Sequence, residues 1–314
     1  MKFSSTSYDH STHMLEEELN ADTFREKAKL GGFLSYVYGT MSVMLEHPSL
    51  QNKEGLGGLW IDNYHTSLPM KKGLSSSAAV CVLIVKAFAR RYNLQLDTAE
   101  VMDLAYRGEM RTPSRCGKMD QCVAVGRGRA ALMTFDGDAV ELEVLQSGAP
   151  LHFVVVDLRG EKDTVAILRQ LNACVPTPPP PPAPQSLMLA YAADIEALAV
   201  QARDALLRGD AAALARCMQQ AQRSFDRHAA PNAAPHLDAP LLHRLLEDPR
   251  LQALALAGKG VGSQGDGSAQ LLVSSAEAQL EVPTLNTSAI GTLRVMCSDA
   301  VSATDVAGTA LCAG

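Results

Sequence analysis

Residues 69–79 carry the side chains whose types and order point most directly to chemistry. Their sequence, Pro-Met-Lys-Lys-Gly-Leu-Ser-Ser-Ser-Ala-Ala, places a glycine and three serines before a long apolar segment. Gly73 permits a tight turn, and a helix that begins at residues 75–78 offers unpaired N–H groups and a positive dipole to an anion. The pattern predicts a phosphate-binding loop. The alternative is that the serines only cap an ordinary buried helix, and the Gly-Lys-Ser/Thr ending of a common P-loop is missing.

Two carboxylates flank a loop further along the chain. Glu109 closes a predicted helix, and Asp120 follows within Cys-Gly-Lys-Met-Asp-Gln at residues 116–121. Phosphoryl transfer from a nucleotide needs one carboxylate to hold magnesium and another to orient or deprotonate the attacking hydroxyl. The alternatives are a solvated acid at a helix end for Glu109 and, for Asp120, a loop acid that caps the next helix.

Both segments resemble motifs of one enzyme family, the GHMP kinases, which include galactokinase, homoserine kinase, mevalonate kinase and phosphomevalonate kinase. Residues 69–79 are similar to its phosphate-loop motif Pro-x-x-x-Gly-Leu-x-Ser-Ser-Ala-Ala, and residues 117–121 resemble the galactokinase Gly-x-Met-Asp-Gln. The spacing of Glu109 and Asp120 resembles that in mevalonate kinase. The glycine-rich stretch 258–267, followed by an apolar strand at 269–273, is an imperfect match to the family's third motif.

The resemblance implies an α+β fold with two domains, the first like domain 2 of ribosomal protein S5 and the second ferredoxin-like. We place the N-terminal ATP-binding domain at residues 1–150, the C-terminal domain at 151–282 and a weakly structured tail at 283–314. The resemblance also implies that ATP and Mg²⁺ bind, with Ser77 and Glu109 as magnesium ligands and Asp120 as the catalytic carboxylate. The residues expected at the nucleotide are Gly73, Leu74, Ser75, Ser76, Ser77, Ala78, Gly260 and Gly262.

One family motif is missing from the sequence. Residues 1–46 contain no recognisable early strand with the basic residue that helps stabilise the transferring phosphoryl group, and no Gly-Glu-His segment of the galactokinase type. We therefore hypothesise that the chain is a truncated or misassembled sugar kinase that retains the phosphate loop and the carboxylates.

Three functions fit these observations. The first is an ATP-dependent kinase for a hydroxyl of a sugar or sugar-like metabolite, favoured by the galactokinase-like segment. The second is a mevalonate-type kinase, favoured by the spacing of the carboxylates. The third is a non-catalytic homologue that binds ligand, favoured by the missing basic residue. The acceptor itself is not predicted, because pocket residues set specificity.

Composition excludes several other classes of protein. The chain has 314 residues, 47% of them hydrophobic and 20% charged, and a net charge of -6. It has no basic stripe for nucleic acid and no apolar run long enough to span a membrane. The seven cysteines and eight histidines show no zinc-ligand spacing. These features, with an N-terminus that lacks a signal pattern, predict a cytoplasmic enzyme with a small-molecule substrate, and they leave the oligomeric state open.

Periodicity and punctuation predict the remaining elements. Residues 1–20 are polar and are expected to be disordered or extended. Residues 176–184 are proline-rich and predict a polyproline insertion. Helices are predicted at 21–46 with a break at Gly31-Gly32, and at 78–92, 187–207, 211–228 and 240–257; strands are predicted at 58–64 and 151–158, with a hairpin at 130–135 and 139–144.

Two further segments are candidate substrate contacts. Arg111 and Arg115 lie between the carboxylates, where they are able to pair with an anionic substrate group, although long basic side chains in loops usually face solvent. Residues 157–163 follow a predicted strand and either line a substrate pocket or form a solvated turn.

Overall fold

A computed structural model of the chain contains both helices and strands. The structure describes residues 1–6, 10–51, 56–66, 70, 72–114, 116–126, 130–137, 139–160, 163–175, 183–287, 291–292 and 294–301. The chain divides into two compact units, Met1–Met70 with Leu74–Gly126 and Lys71–Gly73 with Arg127–Gly314. The change of unit after Gly126 precedes the predicted domain boundary at residue 150, because the intervening hairpin packs its Ala130 and Leu145 against Leu206 and Leu214 of the second unit.

The first unit packs a small sheet against helices. Its strands are β1 (Lys2–Thr6), β2 (Thr12–Glu16) and β3 (Trp60–Asn63), and its helices are α1 (Ala21–Ala28), α2 (Phe33–Leu45), α3 (Pro48–Gln51), α4 (Ser76–Tyr92), α5 (Thr98–Glu109) and α6 (Met119–Ala124). The sheet order is β2-β1-β3, with β1 antiparallel to β2 and parallel to β3. Fully buried Phe3, Phe24, Met41, Ile84 and Phe88 lie in its core. The predictions for the α1–α2 region, with its break, and for α4 are confirmed.

The polar N-terminus, expected to be disordered or extended, is extended: residues 2–6 and 12–16 are paired antiparallel strands. The prediction that residues 1–46 contain no early strand is therefore wrong. Phe3 lies opposite Leu15 on β2 and opposite Ile61 on β3. The strands were missed because so few of their residues are apolar, while buried Ser5 occupies another inward position. A half-buried strand normally shows a clearer alternation of apolar and polar residues.

The second unit contains a four-stranded antiparallel sheet in the order β11-β6-β8-β7, a hairpin and several helices. Its strands are β4 (Ala130–Asp136), β5 (Ala139–Leu145), β6 (Leu151–Asp157), β7 (Ala255–Gly260), β8 (Ser268–Val273), β9 (Asn286–Thr287), β10 (Gly291–Thr292) and β11 (Arg294–Val301). Its α-helices are α7 (Thr164–Ala173), α8 (Ala183–Arg208), α9 (Ala211–Ser224), α10 (Pro240–Leu246), α11 (Pro249–Leu254) and α12 (Ala276–Glu281). A π-helical turn at Phe225–Ala229 continues α9, and short 3-10 turns lie at Ala230–Ala233 and Val282–Thr284.

Three predictions for the second unit need correction. The helix predicted at 240–257 is two short helices, because the Asp248 carboxylate caps a new helix at Pro249, and β7 begins at Ala255. The tail predicted to be weakly structured contains β11, which pairs along β6, while residues 302–314 lie outside the described part. Of the proline-rich stretch, residues 176–182 also lie outside it. Ala183 and Pro184 already belong to the first turn of α8, where a proline costs no helical hydrogen bond.

The predicted hairpin and the strand at 151–158 are confirmed by β4, β5 and β6. Among the described residues, no helix is long and apolar enough to cross a membrane.

Candidate active site

The phosphate-loop segment contains the start of α4, and its backbone has an unusual conformation there. Ser75, the residue before the helix, has a left-handed φ of 57°, and its side chain makes no capping hydrogen bond. The first helical bond is donated by the Ala79 N–H to the Ser75 carbonyl. The N–H groups of Ser76, Ser77 and Ala78 therefore receive no partner from the helix itself. A left-handed serine is uncommon and is typical of sites where backbone strain serves binding.

Glu109 is the most buried carboxylate of the candidate site. It ends α5 with only 2% of its surface exposed, and its Oε2 accepts a 2.6 Å hydrogen bond from Gln121 Nε2. Burial raises the pKa of Glu109; the Ser77 hydrogen bond acts in the opposite direction, and the charge of Asp120 adds to the increase. The first unit thus brings together Ser77, Glu109 and Asp120, which come from three separate segments.

Further residues around Glu109 were missed by the sequence analysis. Burial, followed by the charge of Glu109, raises the pKa of the Cys116 thiol, and the same two causes raise the pKa of the Tyr36 hydroxyl. Gln121 Nε2 also contacts Cys116 Sγ at 3.7 Å. Cys116 and Gln121 were visible as members of the segment at 116–121, whereas Tyr36, inside the apolar α2, gave no signal.

The oxygen donors at this site fit a magnesium ion. Glu109 and Asp120 supply carboxylates, and Ser77 supplies a hydroxyl. The Oε1 atom of Gln121 is buried and has no hydrogen-bond partner among the described residues. Mg²⁺ prefers such oxygen ligands and commonly takes only one or two carboxylates together with phosphate and water. In the described ranges no group of three or more His, Cys, Asp or Glu side chains is placed to hold a metal.

A cavity of about 130 Å³ lies beside the start of α4 in the first unit. Polar and apolar side chains share its wall: Ser5, Asn63, Thr66, Ser76, Phe33, Met70, Ala79, Val80 and Leu83. Asn63 Nδ2 donates to Ser5 Oγ at 3.0 Å, which fixes two of the polar groups. The mixed lining suits a small molecule that has both apolar and hydrogen-bonding parts. Sequence reasoning did not anticipate this cavity, because it depends on β1 and β3.

The second unit contains the other predicted nucleotide residues. A Cβ atom on Gly262, whose φ is 60°, would lie 3.1 Å from the Cα and the carbonyl oxygen of Gly73, so this glycine allows the two loops to approach closely. Gly260 ends β7, and its N–H already donates to Gln222 Oε1 at 2.8 Å. The structure therefore brings Gly262 to Gly73 and leaves the Gly260 N–H occupied by a side chain.

The candidate substrate contacts are engaged within the protein. Arg111 pairs with Glu46, and its Nη1 also donates to Ser42 Oγ at 2.7 Å. It therefore serves packing in the first unit and is not held free for an anionic substrate. Asp157 pairs with Lys72, while Arg115 and residues 161–162 lie outside the described residues.

Comparison with known proteins agrees with the two motifs. The family model described as the GHMP kinases N terminal domain matches residues 35–128, which include α4, Glu109 and Asp120. Residues 35–128 are therefore similar to the N-terminal domain of the GHMP kinases. No curated protein sequence was found to match the chain.

Solved structures extend the likeness beyond residues 35–128. Phosphomevalonate kinase from Streptococcus pneumoniae, in complex with phosphomevalonate and AMPPNP, is 16% identical with a TM-score of 0.67, covering 96% of this chain and 87% of that one. L. major mevalonate kinase in complex with R-mevalonate is 17% identical with a TM-score of 0.62, covering 87% and 79%. Lactococcus lactis galactokinase complexed with galactose is 16% identical with a TM-score of 0.61, covering 97% and 84%. At these identities the likeness establishes the two-domain α+β GHMP kinase fold.

Proposed function

We propose that this chain is an ATP-dependent kinase that transfers the γ-phosphoryl group of ATP to a hydroxyl of a sugar or sugar-like metabolite. The observation that carries the proposal is the convergence of Ser77, Glu109 and Asp120 in the first unit. A hydroxyl at the start of the phosphate-loop helix and two carboxylates are the groups that phosphoryl transfer requires.

Each group has a distinct role in this proposal. The backbone N–H groups of residues 73–78 bind the phosphates. Within the second unit, Gly262 lies beside Gly73. Gly260 acts through the shape of its loop. The cavity beside α4 receives part of the nucleoside. Asp120 orients the acceptor hydroxyl and takes its proton as the acceptor oxygen bonds to the γ-phosphorus and the bond to the β–γ bridging oxygen breaks.

Ser77 and Glu109 would hold Mg²⁺, with Asp120 nearby. Bound magnesium would neutralise charge on the nucleotide phosphates. The buried Gln121 amide keeps the Glu109 carboxylate in one orientation through its 2.6 Å hydrogen bond, which is the way that residues behind a ligand usually support a metal site.

Two other functions are separable by experiment. A mevalonate-type kinase is favoured by the spacing of Glu109 and Asp120, and it differs from the first proposal only in the acceptor. A non-catalytic ligand-binding homologue is favoured by the lack of a recognised basic-residue motif in residues 1–46, although that region does contain the early strand β1. It predicts magnesium-dependent nucleotide binding without turnover.

The test is to incubate the purified chain with Mg-ATP and a panel of free sugars, uronic acids and mevalonate, and to follow ADP release. We expect one acceptor class to stimulate release, and the Asp120→Asn variant to lose turnover by about 10²–10⁴-fold while it retains nucleotide binding. The matched control is Asp22→Asn, because Asp22 is 87% exposed on α1. Unchanged turnover in Asp120→Asn would overturn the catalytic assignment, and binding without turnover across the panel would favour the non-catalytic homologue.

A further inference from the structure

Lys72, the residue directly before Gly73, has its ammonium group bound inside the second unit. Lys72 Nζ lies 2.6 Å from Asp157 Oδ1, and the two side chains are only 18% and 8% exposed. Asp157 ends β6, and the same Oδ1 accepts the Arg159 N–H at 2.8 Å. Lys72 Nζ also reaches the Gly160 carbonyl at 3.4 Å. The Lys72 ammonium group therefore contacts two acceptors, the Asp157 carboxylate and the Gly160 carbonyl, which lie close together in the sequence.

The backbone of the same residue is held by a second element. Ser268, which begins β8 and is 1% exposed, donates from Oγ to the Lys72 carbonyl at 2.5 Å. Ser268 lies opposite Asp157 in the register of β6 and β8. The adjoining Gly73 is approached by Gly262 of the glycine-rich loop. Side chain, carbonyl and the following residue are thus all fixed by one end of the sheet.

We infer that Lys72 and Asp157 are positioning residues that hold the start of the phosphate loop and thereby set the affinity for ATP. This inference rests on the proposed function. A lysine next to a phosphate loop commonly binds phosphate as a point charge, but the ammonium of Lys72 is already paired with a buried carboxylate. A buried pair of this kind often contributes little net stability, so we assign it a role in holding the loop, whose backbone N–H groups bind phosphate less well when they are displaced.

The experiment is a double-mutant cycle of Lys72→Met and Asp157→Asn. Binding of Mg-AMPPNP is measured by calorimetry, and the Michaelis constants for ATP and for the acceptor are measured with kcat. We expect each single variant to weaken Mg-AMPPNP binding by about tenfold or more, and the double variant to be no weaker than the worse single variant. The Michaelis constant for ATP should rise, while the acceptor constant and kcat at saturating ATP change by less than about twofold.

The matched control is Glu143→Gln, which removes a 2.8 Å ion pair with Arg203 elsewhere in the same unit and should leave ATP binding unchanged. Asp157→Glu should restore much of the affinity, because it keeps the charge. Hydrogen exchange adds a readout that needs no nucleotide: amides of residues 72–75 should exchange faster in Asp157→Asn than in the wild type.

The outcomes separate this inference from the proposed function. If the wild type fails to bind Mg-AMPPNP, the proposed function fails, and the exchange measurement alone decides whether the pair holds the loop. Unchanged affinity in both single variants, additive losses in the double variant, or unchanged exchange at residues 72–75 would overturn the inference. If Lys72→Met does not fold, Lys72→Gln, which removes the charge and keeps a polar side chain, replaces it in the cycle with Asp157→Asn.

Discussion

At the scale of single residues, the candidate site depends on a carboxylate that is kept away from water. Glu109 is 2% exposed and is held by Gln121. A buried carboxyl group holds its proton to higher pH than an exposed one, so its protonation competes with binding of a cation. This competition connects the packing of the first unit to the chemistry proposed for it.

The first prediction concerns pH and magnesium. Because burial raises the pKa of Glu109, the ionised form that binds Mg²⁺ becomes populated at a higher pH than it would in an exposed carboxyl group. We expect activity at subsaturating Mg²⁺ to fall on the acid side at a higher pH than activity at saturating Mg²⁺, since the metal favours the ionised form. Profiles of kcat/KM against pH at two magnesium concentrations test this. Coincident acid limbs would argue against Glu109 as a ligand.

Sequence reasoning reached part of this site. Ser77, Glu109 and Asp120 were identified because they lie in compact motifs. Tyr36 was not, because a tyrosine within an apolar helix signals only packing. Arg111 was given a possible substrate role, but its partner, Glu46, lies 65 residues earlier, and such pairing is invisible without the fold.

At the scale of elements, close packing of α2 against α5 places Glu109. A Cβ atom at Gly108 would lie 2.4 Å from Thr40 Oγ1, and one at Gly39 would lie 2.4 Å from the Gly108 carbonyl oxygen. The two helices therefore cross where both have glycine. Glu109 immediately follows this crossing, so its position depends on the distance between the helices.

The second prediction is that Gly108→Ala impairs both stability and activity. The added methyl group pushes α5 from α2, which costs about 1–3 kcal/mol of unfolding free energy and shifts Glu109. Thermal unfolding and steady-state kinetics measure the two effects. Gly58→Ala is the control, because no atom lies within 4 Å of a Cβ at Gly58. A Gly108→Ala protein with wild-type stability and kcat would contradict this account of the crossing.

The third prediction concerns Glu46, which pairs with Arg111 and Arg25 and so connects α1, α2 and the turn after α5. The hydrogen bond from Arg111, and then that from Arg25, lower the pKa of Glu46. Its stabilisation is therefore present above the unfolded pKa and is lost as the pH falls through the lower folded pKa. We expect Glu46→Gln to cost about 1–3 kcal/mol at pH 7.

Denaturant unfolding at several pH values measures the difference in unfolding free energy between the wild type and Glu46→Gln. This difference should become smaller at acid pH. Glu26→Gln serves as the comparison, since Glu26 is 69% exposed and pairs with the neighbouring Lys29; surface pairs of this kind contribute little. Equal effects of the two substitutions at neutral pH would show that the paired arginines do not matter.

Element prediction succeeded where the pattern was local and failed where pairing was distant. Helix α4 and the β4–β5 hairpin follow from apolar periodicity and a short turn. β11 was missed because its partner, β6, lies about 140 residues earlier in the chain, and pairing at that separation leaves no mark on a short segment. The end of the 240–257 prediction failed because the first three residues of β7, Ala255-Leu256-Ala257, have high helix propensity when they are read in isolation.

At the scale of the whole molecule, the fold is that of GHMP kinases. A nucleotide that binds the folded protein must also stabilise it against unfolding. The fourth prediction is that Mg-ATP stabilises the protein. A ligand that binds only the folded state at 100 times its dissociation constant adds about 2.7 kcal/mol. The melting temperature should therefore rise with the concentration of Mg-ATP and should rise less when EDTA removes the metal. A melting temperature independent of both would contradict nucleotide binding.

The resemblance to GHMP kinases and the α+β fold could be predicted from the sequence, because the motifs occur along the chain in the order typical of that family. The acceptor was not, because no motif encodes it. The two compact units also meet along the chain at a place that no compositional shift marks: Lys72 and Gly73 group with the second unit and Leu74 with the first.

The measurement that tests the central claim most directly is mass spectrometry of the acceptor panel after incubation with Mg-ATP, for the wild type and for Asp120→Asn. The account predicts one phosphorylated product with the wild type, formed only when both magnesium and ATP are present, and about 10²–10⁴-fold less of it with Asp120→Asn. ATP binding with no phosphorylated product from any acceptor, or equal product from both proteins, would contradict it.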